Sequence, residues 1–246
     1  MDRIQTGFSD LHTHILPGVD DGAQELNEAL EMVRIAWEDG TRLLFLTPHY
    51  RGSFKKHKPE YLRDSFDAFC RAVHAEFPEM QLVLGQEVHY QSDISERLDC
   101  GRVLTIGDSE YVLLEFRTNS LRNEIVRGVV DVARCGYIPI VAHAERYNAF
   151  RRDFSLVSEV LSHGALIQIN ADSVMGKHGF MVKHFCKKIL KRENAHFIAS
   201  DAHDTKMRVP MLGKCFTYVK RKYGEDYASR LFGRNAQIIV KSKIHK

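Results

Sequence analysis

Two histidines one residue apart, His12 and His14, sit in the stretch Asp10-Leu11-His12-Thr13-His14. On extended backbone, side chains at i and i+2 project to the same side, so both rings can bind one ion. Groups of the same chemistry recur along the chain. Asp20-Asp21-Gly22 has turn composition. Then come Thr47-Pro48-His49, Glu87 in Gly85-Gln86-Glu87-Val88-His89, and Glu115 in Glu115-Phe116. His143 lies in Ala142-His143-Ala144-Glu145-Arg146, and Asp201 and His203 in Ser200-Asp201-Ala202-His203. Imidazole and carboxylate without thiolate suit Mn, Fe, Zn or Mg. The donors are too many for one ion, so two or three divalent metal ions are expected. Adjacent ions sharing a carboxylate stabilise the attacking and leaving oxygens of an in-line phosphoryl displacement, and they lower the pKa of bound water. Arg146 and Arg208 add planar, bidentate partners for phosphate oxygens. The expected chemistry is phosphoester hydrolysis by a metal-bound hydroxide, with no covalent phosphoenzyme.

The elements that must position these groups follow a β-α alternation. Short apolar runs end just before the donors: residues 7–11, 43–47, 82–84, 111–114, 138–142, 166–169 and 196–199. Their Val, Ile, Leu and Phe content suits strands covered on both faces. Between them, helices are predicted over 25–39, 61–77, 121–135, 155–163, 184–192 and 206–223. In the first, Leu26, Ala29, Leu30, Val33 and Trp37 form one stripe, with Gly40 as the stop. About seven such units predict a parallel sheet curled into a barrel with helices outside. Six of the strand ends then carry His, Asp or Glu at the edge where barrel enzymes place their active sites. One domain is expected over residues 1–240, with a short basic tail at 241–246.

Composition narrows the function. Of 246 residues, 44% are hydrophobic and 27% charged, as in ordinary globular domains. A net charge of +3 gives no reason to expect a nucleic-acid partner. The five cysteines are scattered without a CxxC pair, which points to reduced thiols rather than a disulfide framework. Charged residues and histidines interrupt the N-terminus, so no secretory signal is expected, and no run approaches a membrane span. A cytoplasmic protein is the expectation.

The motifs HxH, DDG, TPHY, GQEVHY, LLEF, VAHAERY, QINADS and SDAHD, from about Asp10 to Pro210, resemble the polymerase-and-histidinol-phosphatase (PHP) superfamily. They are most similar to its bacterial capsular-polysaccharide branch of manganese-dependent protein-tyrosine phosphatases. The resemblance implies a trinuclear site in a distorted (β/α)7 TIM-like barrel, with manganese as the usual metal and Fe or Zn as alternatives. It implies that His12, His14, Glu87 and Asp201 hold one ion, and that Glu87 bridges to a second shared with Glu115 and His143. Asp21, His49 and His203 would hold the third. Asp21 rather than Asp20 is taken because it directly precedes Gly22. Catalytic roles are implied for His143 and for the phosphate-binding Arg146 and Arg208. The implied substrate is a phosphotyrosine protein, the C-terminal tail of a bacterial tyrosine kinase that controls capsule and exopolysaccharide synthesis.

Rival readings stand beside this one. Cys186 and Arg192 formally match the C-x5-R loop of cysteine-dependent tyrosine phosphatases. The intervening residues 187–191 lack glycine and read as helix, whereas a phosphate cradle needs a tight loop of converging amides. Another PHP activity is the alternative, either histidinol-phosphate hydrolysis or nuclease work. A metal-braced binding module without turnover is a further one. The basic stretch Arg51 to Lys58, next to His49, is a candidate contact for an acidic phosphopeptide.

Overall fold

The computed structural model describes residues 7–52 and 55–242. Its strands are β1 (Phe8–Thr13), β2 (Thr41–Leu46), β3 (His49–Tyr50), β4 (Gln81–Leu84), β5 (Glu87–His89), β6 (Tyr111–Glu115), β7 (Ile138–Val141), β8 (Leu166–Asn170) and β9 (Phe197–Ala199). One ladder runs β1-β2-β4 and the other β3-β5-β6-β7-β8-β9, with parallel pairing throughout. The two ladders are one curled sheet crossed by seven passes of the chain, because the second and third passes are each broken. Pro48 breaks the second, having no N–H to donate to a ladder. Gly85 breaks the third, where a Cβ would lie only 3.2 Å from the Ile106 Cα. The free edges meet: His14 N donates to Ala202 O at 2.8 Å and Asp201 N to His12 O at 2.9 Å. The result is a distorted seven-pass barrel in a single α/β domain.

Helices cover the outside: α1 (Leu26–Glu38), α2 (Pro59–Glu76), α3 (Ile94–Asp99), α4 (Arg122–Arg134), α5 (Asn148–Arg152), α6 (Ser155–Ser162), α7 (Ala171–Met175), α8 (Phe180–Lys191), α9 (Gly213–Tyr223), α10 (Glu225–Ser229) and α11 (Asn235–Lys241). In α1 the buried stripe is Ala29, Met32, Val33 and Ala36. It is rotated from the expected one, and Leu26 is 46% exposed. Trp37 lies under the Arg42 guanidinium, 3.6 Å from ring to cation, a cation–π contact at the helix edge.

Two helices start elsewhere than predicted. α8 begins at Phe180, four residues early, behind Gly179 in a backbone conformation (φ 89°) that glycine adopts freely. α9 begins at Gly213 rather than 206. The Asp204 carboxylate accepts the Lys206 amide at 2.6 Å, and the Asp39 carboxylate accepts the Gly213 amide at 2.7 Å. Side chains thus satisfy amides that a longer helix would need, and residues 204–212, with Arg208, form a loop over the barrel mouth. Leu11, Leu43, Phe45, Leu113, Ile140 and Phe197 belong to a cluster that fills the barrel interior, holding the strand ends rigid beneath that mouth. Of the expected tail, Lys241 ends α11, and residues 243–246 lie outside the described residues, as do 53 and 54 of the basic stretch. Among the described residues no helix is long and apolar enough to cross a membrane.

Candidate metal centre

The donors singled out in the sequence meet at the C-terminal mouth of the barrel. His12 Nε2 and His14 Nε2 lie 3.1 Å apart, as same-side projection from β1 requires. Glu87 Oε2, from β5, approaches both, at 3.3 Å and 3.4 Å. Asp201 Oδ1 approaches the same two nitrogens at 3.6 Å and 3.5 Å. Glu87 Oε1 lies 2.7 Å from His143 Nε2, and Glu115 Oε1 lies 4.0 Å from that nitrogen. Asp21 Oδ1 lies 3.3 Å from His49 Nε2 and 3.6 Å from His203 Nε2.

Three sets of donor atoms are close enough to share an ion: His12, His14 and Glu87; His49, Glu87 and Glu115; and His14, Asp21, His49 and His203. Glu87 joins the first two sets. The grouping differs in detail from the resemblance. His14 also reaches the Asp21 set, and His49 also reaches Glu87, at 2.8 Å. His143 and Asp201 stand beside the sets through the contacts given above.

The local backbone is unusual where it delivers two of these side chains. His143 and Asp201 both have positive φ, 31° and 56°. Non-glycine residues in the left-handed region cost free energy and persist only where the surroundings hold them. Here the His143 amide donates to Gln168 Oε1 at 2.7 Å, and the Asp201 amide is tied to His12. Gln168 Oε1 also lies 3.3 Å from His12 Nδ1. Its amide group donates to Asn170 Oδ1 at 2.8 Å, and Asn170 Nδ2 donates to Asp201 Oδ2 at 2.8 Å. One buried relay therefore orients three donors.

Asp20 does the same work for His14. Its Oδ2 lies 2.6 Å from His14 Nδ1 and accepts the His49 amide at 3.0 Å, while Oδ1 accepts the Gly22 amide at 3.0 Å. The DDG triplet thus divides its labour: Asp20 orients, Asp21 faces the donors. His89 Nδ1 stands 3.3 Å behind Glu115 Oε2. Sequence reasoning weighed Asp20 only as the alternative ligand to Asp21, and assigned no role to His89, Gln168 or Asn170. The QINADS motif carried a signal for the last two, because alternate residues on a strand end face one side.

The electrostatics fit a cationic occupant. Burial opposes charge on Glu87 and Asp201, but the surrounding histidines hold both carboxyls well below the usual range. Burial also opposes charge on His49, yet Glu87 and Asp21 push it up to about 9. Burial and the neighbouring His14 push His203 down to about 3. Burial notwithstanding, His14 draws Asp20 down to about 2. Ring centres of His14 and His203 are 3.9 Å apart, and those of His14 and His49 4.5 Å. Imidazoles so close cannot all carry protons. Three buried atoms at the centre, His49 Nδ1, Glu87 Oε2 and His143 Nδ1, have no hydrogen-bond partner. His49 Nδ1 and Glu87 Oε2 face each other closely without hydrogen-bond geometry. Buried polar groups left so are costly, and a coordinated cation would offset that cost for lone pairs such as those of His49 Nδ1 and Glu87 Oε2. The residues present therefore fit divalent metal ions, on the chemistry of the donor set and on these unpartnered atoms.

Arg146 and Arg208 flank the cluster. Arg146 Nη1 lies 3.1 Å and Arg208 Nη2 2.6 Å from the same oxygen, Asp201 Oδ2. Their side chains are 40% and 35% exposed, against 2% for Asp201. Each guanidinium keeps donors facing solvent above the metal-ligand set. Arg51 Nη2 lies 2.7 Å from His49 Nε2, placing the start of the basic stretch at the rim.

The C-x5-R match does not form a cradle. Cys186 is fully buried within α8, and burial pushes its thiol pKa up, the reverse of an activated nucleophile.

A family model described as capsular polysaccharide synthesis, CpsB/CapC, matches residues 8–241. Tyrosine-protein phosphatase CpsB of Streptococcus agalactiae serotype V is 31% identical over 238 residues, covering 95% of this chain and 98% of that protein. Tyrosine-protein phosphatase YwqE of Bacillus subtilis is 29% identical over 234 residues, covering 95% and 92%. A crystal structure from work on YwqE of Bacillus subtilis and CpsB of Streptococcus pneumoniae, described as metal-dependent tyrosine phosphatases, superposes with a TM-score of 0.88 at 30% identity. The match covers 95% of this chain and 94% of that one.

Proposed function

Since the chain belongs to the CpsB/CapC capsular polysaccharide synthesis family, we propose that it is a metal-dependent protein-tyrosine phosphatase, a phosphoric monoester hydrolase acting on a phosphotyrosyl protein. One observation carries the reading: nine His, Asp and Glu side chains from six strand ends and the DDG loop converge within a few ångströms, beside two arginines with free donors. We assign the metal-holding role to His12, His14, Asp21, His49, Glu87, Glu115, His143, Asp201 and His203. Bound there, divalent ions supply a water of lowered pKa and positive charge opposite the developing charge of a phosphoryl transfer.

The rest of the mechanism belongs to the chain's own residues. Glu87 presents one oxygen to His143 and the other to His12 and His14, so its carboxylate would be available to more than one ion. Asp20 and Gln168 hold the far nitrogens of His14 and His12, which turns Nε2 of each ring inward and fixes the tautomer. Arg146 and Arg208 receive the non-bridging phosphoryl oxygens in exchange for their shared hold on Asp201 Oδ2, and so orient the ester for in-line displacement. The barrel core beneath excludes bulk water, which strengthens these charge contacts. A tyrosyl phenolate is a good enough leaving group that no dedicated acid is required. Cys186 takes no part.

The finer reading is also ours. Manganese is the expected native metal. The phosphoprotein is a bacterial tyrosine kinase governing capsule or exopolysaccharide synthesis, met in the cytoplasm. The discriminating experiment compares kcat/KM on a phosphotyrosine peptide, histidinol phosphate and single-stranded DNA, with and without added Mn. Metal-dependent preference for the peptide is expected. Preference for histidinol phosphate or DNA would replace the reading with another activity of the superfamily, and no metal-dependent hydrolysis of any ester would leave only a binding role.

A further inference from the structure

Six methionines fall among the described residues. Met32 and Met80 are buried, whereas Met175, Met181, Met207 and Met211 are exposed, together with Phe180. The exposed four all lie in the loops and helix ends that follow β8 and β9. Phe180 is 78%, Met181 63% and Met207 67% exposed. Elsewhere the large exposed apolar side chains are scattered singly, as on most surfaces, but here they gather at the barrel mouth.

A hydrogen bond joins the two loops, and others brace the first. Lys177 Nζ donates to Met207 O and pairs with Asp172 at 2.7 Å. Lys183 Nζ donates to Met175 O at 2.9 Å. The two rim lysines are thus turned onto backbone and carboxylate, leaving the apolar side chains outward. Met207 immediately precedes Arg208. His178, between Met175 and Phe180, lies in the field of both Arg146 and Arg208. The apolar rim is therefore continuous with the two arginines assigned above to the phosphate.

We propose that the rim of Met175, Phe180, Met181 and Met207 binds the residues flanking the phosphotyrosine of a peptide substrate, and that it favours apolar side chains there. This rests on the phosphatase reading. The occupant follows from continuity and charge. A phosphate dianion held by Arg146 and Arg208 anchors the tyrosyl side chain beside Met207. An extended peptide advances about 3.3 Å per residue, so its next residues pass over the rim. Methionine suits that task, because its flexible, polarisable side chain adapts to varied apolar partners. Exposed apolar side chains gathered on one rim are a recognised mark of an interaction site.

The test uses two phosphotyrosine peptides that differ only in their flanks, leucine in one and serine in the other. kcat/KM is measured for both with the Mn-loaded wild type and with Phe180→Ser/Met181→Ser. Taking the ratio within each protein cancels any loss of folded or loaded enzyme. Wild type is expected to favour the leucine peptide by roughly tenfold, as partial burial of one or two leucine side chains would give, and the variant is expected to bring the ratio near one. No preference in wild type, or an equal preference in the variant, overturns the proposal. So does a substitution that leaves the ratio intact while abolishing self-association in sedimentation, or binding to anionic vesicles. Those results would assign the rim to a second copy or a lipid surface. Failure of the phosphatase reading shows differently, as wild type that hydrolyses neither peptide.

Discussion

Gly22 offers the sharpest structural test of how the centre is held. A Cβ at this position would lie 1.9 Å from His14 O and 2.6 Å from His14 Cβ. Real Cβ atoms stay beyond 3.0 Å, so Gly22→Ala forces the loop to retreat by at least about 1 Å. His14 cannot yield instead. Its amide is fixed to Ala202 O, its carbonyl accepts the Ala23 amide at 3.1 Å, and its ring is tied to Asp20. Replacing glycine with alanine ordinarily stabilises a protein, by about 0.4–1 kcal/mol, through the unfolded chain. Here the clash and the weakening of one or two hydrogen bonds, about 1 kcal/mol each, outweigh that gain. The expected net loss of about 1–2 kcal/mol lowers Tm by several degrees in a chain of this size. Function should suffer more than stability. Asp21 moves with the loop, and a 1 Å misplacement near a reacting centre costs on the order of 100-fold. The assay is kcat/KM on p-nitrophenyl phosphate as a function of added Mn, with thermal melts alongside. Gly136→Ala is the control. It meets no atom within 4 Å but has φ 82°, so it should lose stability and keep activity. A Gly22→Ala protein with wild-type turnover and wild-type metal requirement would refute the reasoning.

Other outcomes follow from the same geometry. His143→Ala should lower turnover by at least about 100-fold, a far larger effect than on the melting curve, because the buried ring faces Glu87 and is no member of the hydrophobic clusters. Asn170→Ala removes the Asp201 and Gln168 bonds and should weaken Mn affinity by roughly 10–100-fold, the usual effect of losing a group that orients a metal ligand, as read by metal titration. Cys186→Ser should leave metal-dependent kcat within about twofold, and loss of activity would revive the cysteine mechanism. Burial and the nearby Arg230 push His196 down to about 4, and its Nδ1 accepts the Ile167 amide at 3.1 Å. Unfolding therefore takes up a proton between pH 6.5 and about 4, so stability falls as pH drops through that window. The contribution is about 2 kcal/mol once partial exposure is allowed for. His196→Asn should flatten the pH dependence in denaturant titrations between pH 4 and 7.

Much of this centre is legible from local rules. The i, i+2 spacing of His12 and His14 placed both rings on one side, and the strand-end positions of His49, Glu87, Glu115, His143 and Asp201 brought them to one mouth. Which donor faces which was not legible, because it depends on contacts between residues more than 100 apart, such as His12 with Gln168. Asp20 and Asp21 are chemically identical in sequence. Their separate roles come from the turn, which aims one at His14 and the other at His49 and His203. The left-handed backbone at His143 and Asp201 has only a weak local signature: Asp and His visit that region more often than most residues, yet usually lie outside it. Tertiary hydrogen bonds impose it. The shift of α1's stripe away from Leu26 has a similar origin: Met32 and Ala36 are as apolar as the residues expected, and packing chose between two plausible faces. The late start of α9 reflects side-chain capping by Asp39 from the other end of the chain.

The account depends on the side chains at the barrel mouth caging several cations together. Anomalous diffraction at the manganese edge, on crystals grown with Mn, tests that most directly. Two or three peaks are expected, each within bonding distance of donors from His12, His14, Asp21, His49, Glu87, Glu115, His143, Asp201 and His203, with Glu87 touching two of them. A single peak, or peaks bound only to other side chains in a crystal of enzyme that hydrolyses phosphotyrosine, would contradict it.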